Sequence, residues 1–550
     1  MKFLKVLLNS LLCGLCFCFL LALLVDGLNI NARFHPAFLA RLSLELFIAY
    51  GLAMTIFSLA VFFIYNFFSS KKNDISFISP TFLALGFSLV IFFFLLLFWV
   101  NIRHFNAFFS PLVRSQLKMQ MAVLFSLGLM GIAVTVLFYR LRKKPVFFWA
   151  YALLFAAGMA VVVWQRPPLI QQRPASKTSV LEAPRITNRL TLLGLEGLSF
   201  DFIIPLLSQD KLPNFSHLVE NGSWGRLAGF TPNESEVLGA SLDTGKLPYK
   251  HRRLSAFAYR LRNHPQRMDV VPRFIFFHQL SRLGLLKPAS AEAHARSTDL
   301  WQIFSDCGLT VLRRDRPIPA ENVPAGQKAE TAFTLQFADL RFETSPLFTP
   351  ARQSFFQDTR FEEEANQERQ RMQPRVFSLM LSGLNTVEKY FYQYSFPDLY
   401  SGVDAGDAAK FGSVIEKYYQ FYDRILGRYL ASLKEDETLI VYSPHGIEPL
   451  PYWKRLLGWV SGRPGVSADH EQAPDGAIFF YGKNIVRARN IEGWRVIDLA
   501  PTLLYLLGLP VGRDMDGIVR SQVFVKEFTA ENPIFYISSY EDITIKAPEQ

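Results

Sequence analysis

The chain changes character about a third of the way along. Up to residue 165 long apolar stretches alternate with short polar ones; beyond it the apolar runs are short and broken by Gly, Pro and charged residues. Five apolar stretches, about 4–25, 43–68, 77–100, 119–139 and 146–164, each approach the roughly 20 residues that a helix needs to cross a bilayer. From residue 188 onward the pattern is different. Apolar runs at 190–195, 376–381 and 438–442 predict buried strands, each feeding a loop. Runs at 198–207 and 211–219 predict helices, the second stopped by Gly222. Strands alternating with helical patterns predict a mainly parallel central sheet. The expected architecture is an α-helical membrane domain of five transmembrane helices over 1–165, a basic juxtamembrane linker over 166–187, and an α/β domain over 188–550.

Charge orients this arrangement. Lys2 and Lys5 precede the first stretch, Lys71 and Lys72 lie between the second and third, and Arg140, Arg142, Lys143 and Lys144 lie between the fourth and fifth. If every stretch crosses, these three places share one side, which the positive-inside tendency makes cytoplasmic. The opposite loops also carry Arg33, Arg41, Arg103, Arg114 and Lys118. The expectation is a multi-pass protein of the cell (inner, cytoplasmic) membrane, with a cytoplasmic N-terminus and an extracytoplasmic, periplasmic-side C-terminal domain. No small-x-small cleavage site ends the first stretch, so it is expected to stay as an anchor. Cys13, Cys16 and Cys18 inside it read as apolar filler, and Cys307, alone in the rest of the chain, cannot form an internal disulfide there.

The formal charge of +11 is unevenly held: residues 1–165 carry 13 Lys/Arg and three acids, and the remainder is nearly neutral. A nucleic-acid partner, which would need a basic domain, is excluded. The spans carry few ionisable residues, which argues against a transport pathway. Arg166, Arg173, Lys177, Arg185 and Arg189 follow the last span, against Glu182 alone. They read either as a solvated tether or as a site for anionic lipid headgroups and lipid phosphates. Farther on, Phe274, Phe276, Phe277, Leu280 and Leu283 form a candidate amphipathic stripe, a core face unless it is exposed to lipid.

The chemistry-bearing residues come in a fixed order. The first predicted strand ends in Gly194-Leu195-Glu196-Gly197. Then come Thr231-Pro232-Asn233-Glu234-Ser235 and Asp243-Thr244-Gly245-Lys246-Leu247-Pro248. Asn385-Thr386-Val387-Glu388-Lys389 follows the second strand, Ser443-Pro444-His445-Gly446 the third, and Asp469-His470 comes later. In order and spacing these motifs, with Asp498-Leu499-Ala500-Pro501-Thr502 and Asp514-Met515-Asp516-Gly517, resemble the type I phosphodiesterase/nucleotide pyrophosphatase group of the alkaline phosphatase and sulfatase superfamily. The resemblance covers most of 188–520 and implies an alkaline-phosphatase-like fold. It also implies a site in which two metal ions clamp a phosphoryl group while a Ser or Thr oxygen attacks it.

Mapped onto that pattern, Ser235 takes the nucleophile position, and Glu196, His445 and His470 take metal-ligand positions. Asn385, Lys389 and Pro444 stand where the family has ligands. Asn offers a weak oxygen, a Lys ammonium has no lone pair, and Pro has no side-chain donor. Four of six expected ligands are changed, Glu196 being one methylene longer than the family's Asp. The expectation is at most one divalent ion, zinc or manganese, and otherwise no cofactor. Lys389 offers another state, an ammonium that neutralises a phosphate without metal. Five spans plus such a domain also resemble, in architecture, lipoteichoic acid synthases, lipid phosphoethanolamine transferases and inner-membrane lipopolysaccharide sensors. Two readings follow. In the first, a membrane-anchored extracytoplasmic phosphodiesterase-like protein, non-catalytic or weakly catalytic, binds a phosphorylated envelope lipid or glycan or a membrane-protein partner. In the second, it is an active metal-dependent phosphodiesterase or phosphotransferase on envelope phosphoesters, with Ser235 as nucleophile.

Overall fold

A computed structural model of the protein describes residues 2–32, 34–68, 79–140, 146–165, 179–184, 186–262, 264–290, 297–315, 327–338, 340, 346–460 and 465–546. The chain forms two compact units, one of Met1–Arg173 with Arg252–His294 and one of Pro174–His251 with Ala295–Gln550.

The first unit holds α1 (Lys2–Leu28), α2 (Pro36–Leu46), α3 (Leu52–Phe68), α4 (Pro80–His104), α5 (Pro111–Arg140) and α6 (Val146–Trp164). A π turn at Phe47–Gly51 joins α2 to α3 in one continuous helix. Among the described residues, five helices are therefore long and apolar enough to cross a bilayer: Phe3–Leu28, Pro36–Ile64, Pro80–His104, Pro111–Phe138 and Val146–Trp164. The second and fourth begin before the apolar runs do, because Arg41, Lys118 and Gln120 continue the helix without being apolar. Gly14 marks a close approach: a Cβ there would lie 2.6 Å from the carbonyl oxygen of Gly51.

Arg252–His294 belongs to this unit although its sequence reads as part of the later domain. It carries a three-stranded antiparallel sheet in which Phe257–Leu261 pairs with Arg267–Met268 and Leu286–Ser290. Buried asparagines at helix ends hold it. The Asn29 side chain accepts from the Asp269 and Val270 amides at 2.6 and 2.8 Å and donates to the Val270 carbonyl at 2.9 Å. Asn101 accepts from the Arg273 amide at 2.7 Å. Side chains that bind backbone leave no trace in a hydropathy pattern.

The second unit is built on an eight-stranded sheet: β1 (Arg189–Leu195), β2 (Ser223–Ala228), β3 (Val311–Arg314), β4 (Val376–Leu381), β5 (Glu437–Ser443), β6 (Gly476–Tyr481), β7 (Arg489–Asn490) and β8 (Trp494–Arg495). The order is β7-β2-β6-β5-β1-β4-β3, with β8 also on β2. β1 runs parallel to β4 and β5, and β3 runs parallel to β4; β6 alone is antiparallel to its neighbours. Alternate residues of each strand enter two cores. Leu193, Leu379 and Val441 pack to one face, and Leu190, Leu192, Ile440 and Tyr442 to the other. Burial on both faces explains why these strands read as unbroken apolar runs.

On the first of those faces lie α8 (Thr349–Met372), α9 (Gly383–Ser395) and α10 (Val414–Ala431); Ser235–Thr244 is α7. Asp358 on α8 ties the three together, accepting from the Tyr418 and Tyr422 hydroxyls at 2.8 and 2.7 Å and from the Gly383 amide at 3.1 Å. Burial pushes its carboxyl up to about 6 in spite of those bonds. Asp358→Ala strands two buried hydroxyls and should lower stability by about 3 kcal/mol, read from the denaturant midpoint of the purified protein.

Candidate functional site

Because β1, β4 and β5 are adjacent and parallel, the loops at their carboxyl ends open at one edge of the sheet, where ligands collect in such folds. Glu196 follows β1 directly. Its amide donates to the Leu381 carbonyl at 2.9 Å, and its own carbonyl accepts from the Asn385 amide at 3.1 Å. The Gly197 amide donates to Ser443 Oγ at 3.0 Å, and Ser443 Oγ donates to the His445 carbonyl at 2.8 Å. Gly197 has a φ of +103°, and a Cβ there would lie 2.6 Å from Glu388 Oε2 and 3.0 Å from the Asn385 amide nitrogen. The three loops are thus laced together through a residue that only glycine suits.

Ser235 is the first residue of α7, so the positive end of a ten-residue helix faces its hydroxyl. Ser235 Oγ hydrogen-bonds Glu196 Oε1 and lies 3.2 Å from His445 Nε2. His445 Nε2 is also 3.2 Å from Glu196 Oε1. The other ring nitrogen settles the tautomer: His445 Nδ1 lies 3.0 Å from the Gly446 carbonyl, which can only accept, so Nδ1 carries a proton. In neutral His445 the Nε2 is then a bare acceptor. Burial opposes the charge on Glu196, but the hydrogen bond and charge of His445, the Ser235 hydroxyl and the Lys389 charge bring its carboxyl down to about 2. Carboxylate, imidazole nitrogen and hydroxyl oxygen converge at one corner. A proton on Nε2 or a cation closes that corner.

His470, just after a short strand at Ala468–Asp469, stacks on His445 with ring centroids 4.5 Å apart and planes at 18°. Burial lowers its imidazole to about 4, assisted by the charges of His445 and Lys389. Asn385 and Lys389 stand one turn apart on α9, so they share a face of that helix. Asn385 Oδ1 is buried without a hydrogen-bond partner. The Lys389 charge acts on Glu196, Glu388 and His470, lowering all three. Pro444 occupies the turn between Ser443 and His445 and offers no donor atom to the site.

Glu388, inside the Asn385–Lys389 motif, is fully buried. Burial raises its carboxyl well above the ordinary range. The Tyr419 hydroxyl lies 3.2 Å from Glu388 Oε1, and Oε2 has no partner. Only its spacing from Asn385 on the same helical face could have pointed to it. Ser443, which holds two of the loops, shows in the sequence only as the first residue of the Ser443-Pro444-His445-Gly446 motif. Of the basic residues after the last span, Arg166, Arg173, Lys177 and Arg185 lie outside the described residues. Arg189 starts β1, 3.4 Å from Asp436, and donates to the Gln373 and Pro374 carbonyls at 3.3 and 3.2 Å.

The donor set fits one metal ion better than two. Glu196, His445 and Ser235 would hold it. Bound there, such an ion supplies charge that lowers the pKa of the Ser235 hydroxyl. The second family position does not fit: His470 and Asn385 remain, but Lys389 cannot ligate.

A parallel sheet covered on both faces, with a serine at a helix start and acid and histidine loops at the strand ends, makes the second unit an alkaline-phosphatase-like domain. Residues 190–461 match the family of type I phosphodiesterase / nucleotide pyrophosphatase, so this stretch of the chain is phosphodiesterase-like. Among solved structures, the phosphonate monoester hydrolase SpPMH from Silicibacter pomeroyi is similar at 14% identity and a TM-score of 0.35, over 61% of this chain and 76% of that one. No curated protein matches the chain.

Two outcomes test this geometry. His470 has a folded pKa of about 4 against an ordinary 6.5, so the unfolded chain takes up its proton first as pH falls. Its contribution is present above pH 6.5 and lost between 6.5 and 4. In chelated protein, His470→Asn should therefore lose less stability over that interval than wild type, by about 1–3 kcal/mol in denaturant titrations at several pH values. Gly197→Ala puts a methyl group against Glu388 at a positive φ and should cost about 2 kcal/mol in the same measurement.

Proposed function

We propose that this membrane-anchored phosphodiesterase-like protein binds a phosphorylated envelope lipid or glycan and turns it over slowly or not at all. The observation that carries the reading is Lys389. Its ammonium stands at a family ligand position and exerts its charge on Glu196, Glu388 and His470. A phosphate oxygen is the natural partner for that ammonium and for the amide end of α7 beside Ser235. The charge pattern of the spans supports a domain outside the cytoplasm, and the linker basic residues Arg166, Arg173, Lys177 and Arg185 suit an anionic lipid surface.

The bonding of Ser235 favours a second reading. Its hydroxyl sits between Glu196 and His445 at the start of a helix, an arrangement that activates a nucleophile when a cation is bound. In that reading the protein is a phosphodiesterase or phosphotransferase working with one ion.

Binding and turnover separate the two. Full-length protein is titrated with inorganic phosphate and with phosphoethanolamine by calorimetry, and assayed on an aryl phosphodiester with and without zinc or manganese. Binding should weaken about 10- to 100-fold in Lys389→Met and change little in Ser235→Ala. Turnover that needs bound metal and disappears in Ser235→Ala would establish the enzyme instead.

A further inference from the structure

The first unit carries an apolar element that is not one of its spans. Asn29 and Asn101 hold residues 269–273 across the ends of α1 and α4. Farther along, the Phe276 amide donates to the Tyr50 hydroxyl at 2.8 Å. Tyr50 is far from those ends. Its neighbour Gly51 packs on Gly14, and α1 runs on from Gly14 to Leu28, about 20 Å at 1.5 Å per residue. The tyrosine ring leans toward the start of its own helix and recovers part of that distance. Between Arg273 and Phe276 the chain can cover about 10 Å. It therefore descends beside the helices, below the level at which Asn29 and Asn101 hold it.

What it exposes there is aromatic. Phe274 and Phe276 are 49% and 42% exposed, whereas Ile275 and Phe277 between and after them are buried. Leu283, at the end of the short helix that follows, is 69% exposed. Exposed His278 and Arg282 lie between these apolar groups, Lys287 follows them, and the Arg273 guanidinium is 5.7 Å from the Phe274 ring centroid. Trp99 marks the same region on α4: it is 48% exposed, with the Arg103 guanidinium 5.6 Å from its ring centroid, the pairing of an aromatic belt with a cation toward the headgroups. On the other side of the Tyr50 turn, Leu44, Ile48, Leu52 and Ile56 form an exposed stripe at helical spacing, which is the lipid face of that span.

We infer that residues 274–283 insert into the bilayer as a monotopic element. Phe274, Phe276 and Leu283 occupy the acyl-chain boundary of the leaflet at the Asn29 end of the spans, with Arg273, His278, Arg282 and Lys287 at its headgroups. The surface is continuous with the lipid face of the helices that it packs against, and burying two phenylalanines and a leucine in hydrocarbon offsets the ordering of the segment. A lipid leaflet is the occupant, in place of a protein partner.

Photocrosslinking tests this in the full-length protein, reconstituted in nanodiscs of phosphatidylethanolamine and phosphatidylglycerol. A benzoylphenylalanine is placed at Phe274 or, in a separate variant, at Phe276; a third variant carries it at Leu52 on the lipid face. Lipid adducts at 274 and 276, at yields within a few-fold of those at 52, are expected by mass spectrometry. Adducts to protein only, or no adduct while the label at 52 reacts, would overturn the inference. Each of the two positions suffices if the other variant fails to fold.

Discussion

The site depends on three strands lying side by side in one direction. β1 hydrogen-bonds β4 on one edge and β5 on the other, both in parallel, over most of its length. That pairing brings Glu196, Asn385 and His445, nearly 250 residues apart at the extremes, to one edge of the sheet. The loops then tie themselves to one another without using the side chains that do chemistry. Glu196 gives its amide and carbonyl, Gly197 its amide, and Ser443 its hydroxyl. The carboxylate of Glu196 is left free to face Ser235 and His445. A slip of β1 by one residue would turn Glu196 toward the opposite face and exchange the two cores, so packing of the sheet and placement of the site are one constraint.

Within that frame the pocket is a problem of charge. Burial opposes the charge on Glu196, but His445, Ser235 and Lys389 bring its carboxyl down to about 2, and it faces His445 Nε2 and Ser235 Oγ at one corner. Nearby, burial raises the Glu388 carboxyl well above the ordinary range. Lys389 supplies the fixed positive charge. A resident ammonium differs from a second metal ion in one decisive way: it can pair with a phosphate but cannot polarise a bound oxygen through coordination. In the proposed reading, that difference is what would let the pocket bind a phosphate without two-metal chemistry.

Much of this was legible in the sequence, for physical reasons that differ by element. The spans and the central strands were readable because both are apolar over their whole length, the helices facing lipid and the strands facing two cores. Glu196, Ser235, His445 and His470 were readable from order and spacing, and they are brought together. What stayed hidden was polar and local. Glu388 looks like a surface acid until α9 is docked on the sheet, since its burial is set by Tyr419 from a helix about 30 residues away. The association of Arg252–His294 with the helices was equally hidden, because it rests on Asn29 and Asn101 binding backbone atoms.

Those two asparagines bear on how such a chain can be built at all. A polar amide at the end of an apolar helix is costly unless its donors and acceptors are met. Asn29 meets that demand by acting as a surrogate backbone: its oxygen takes two amides and its nitrogen gives to one carbonyl. The extended chain at 269–273 gains partners for groups that would otherwise require a neighbouring strand. A short segment can thus be held beside the helices by its backbone as well as by its buried side chains Val270, Ile275 and Phe277. That frees its other apolar side chains to point away from the protein. Phe274 and Phe276 are exposed because the latch engages the backbone, and a backbone latch is what allows a segment to be anchored to protein on one side and offered to lipid on the other.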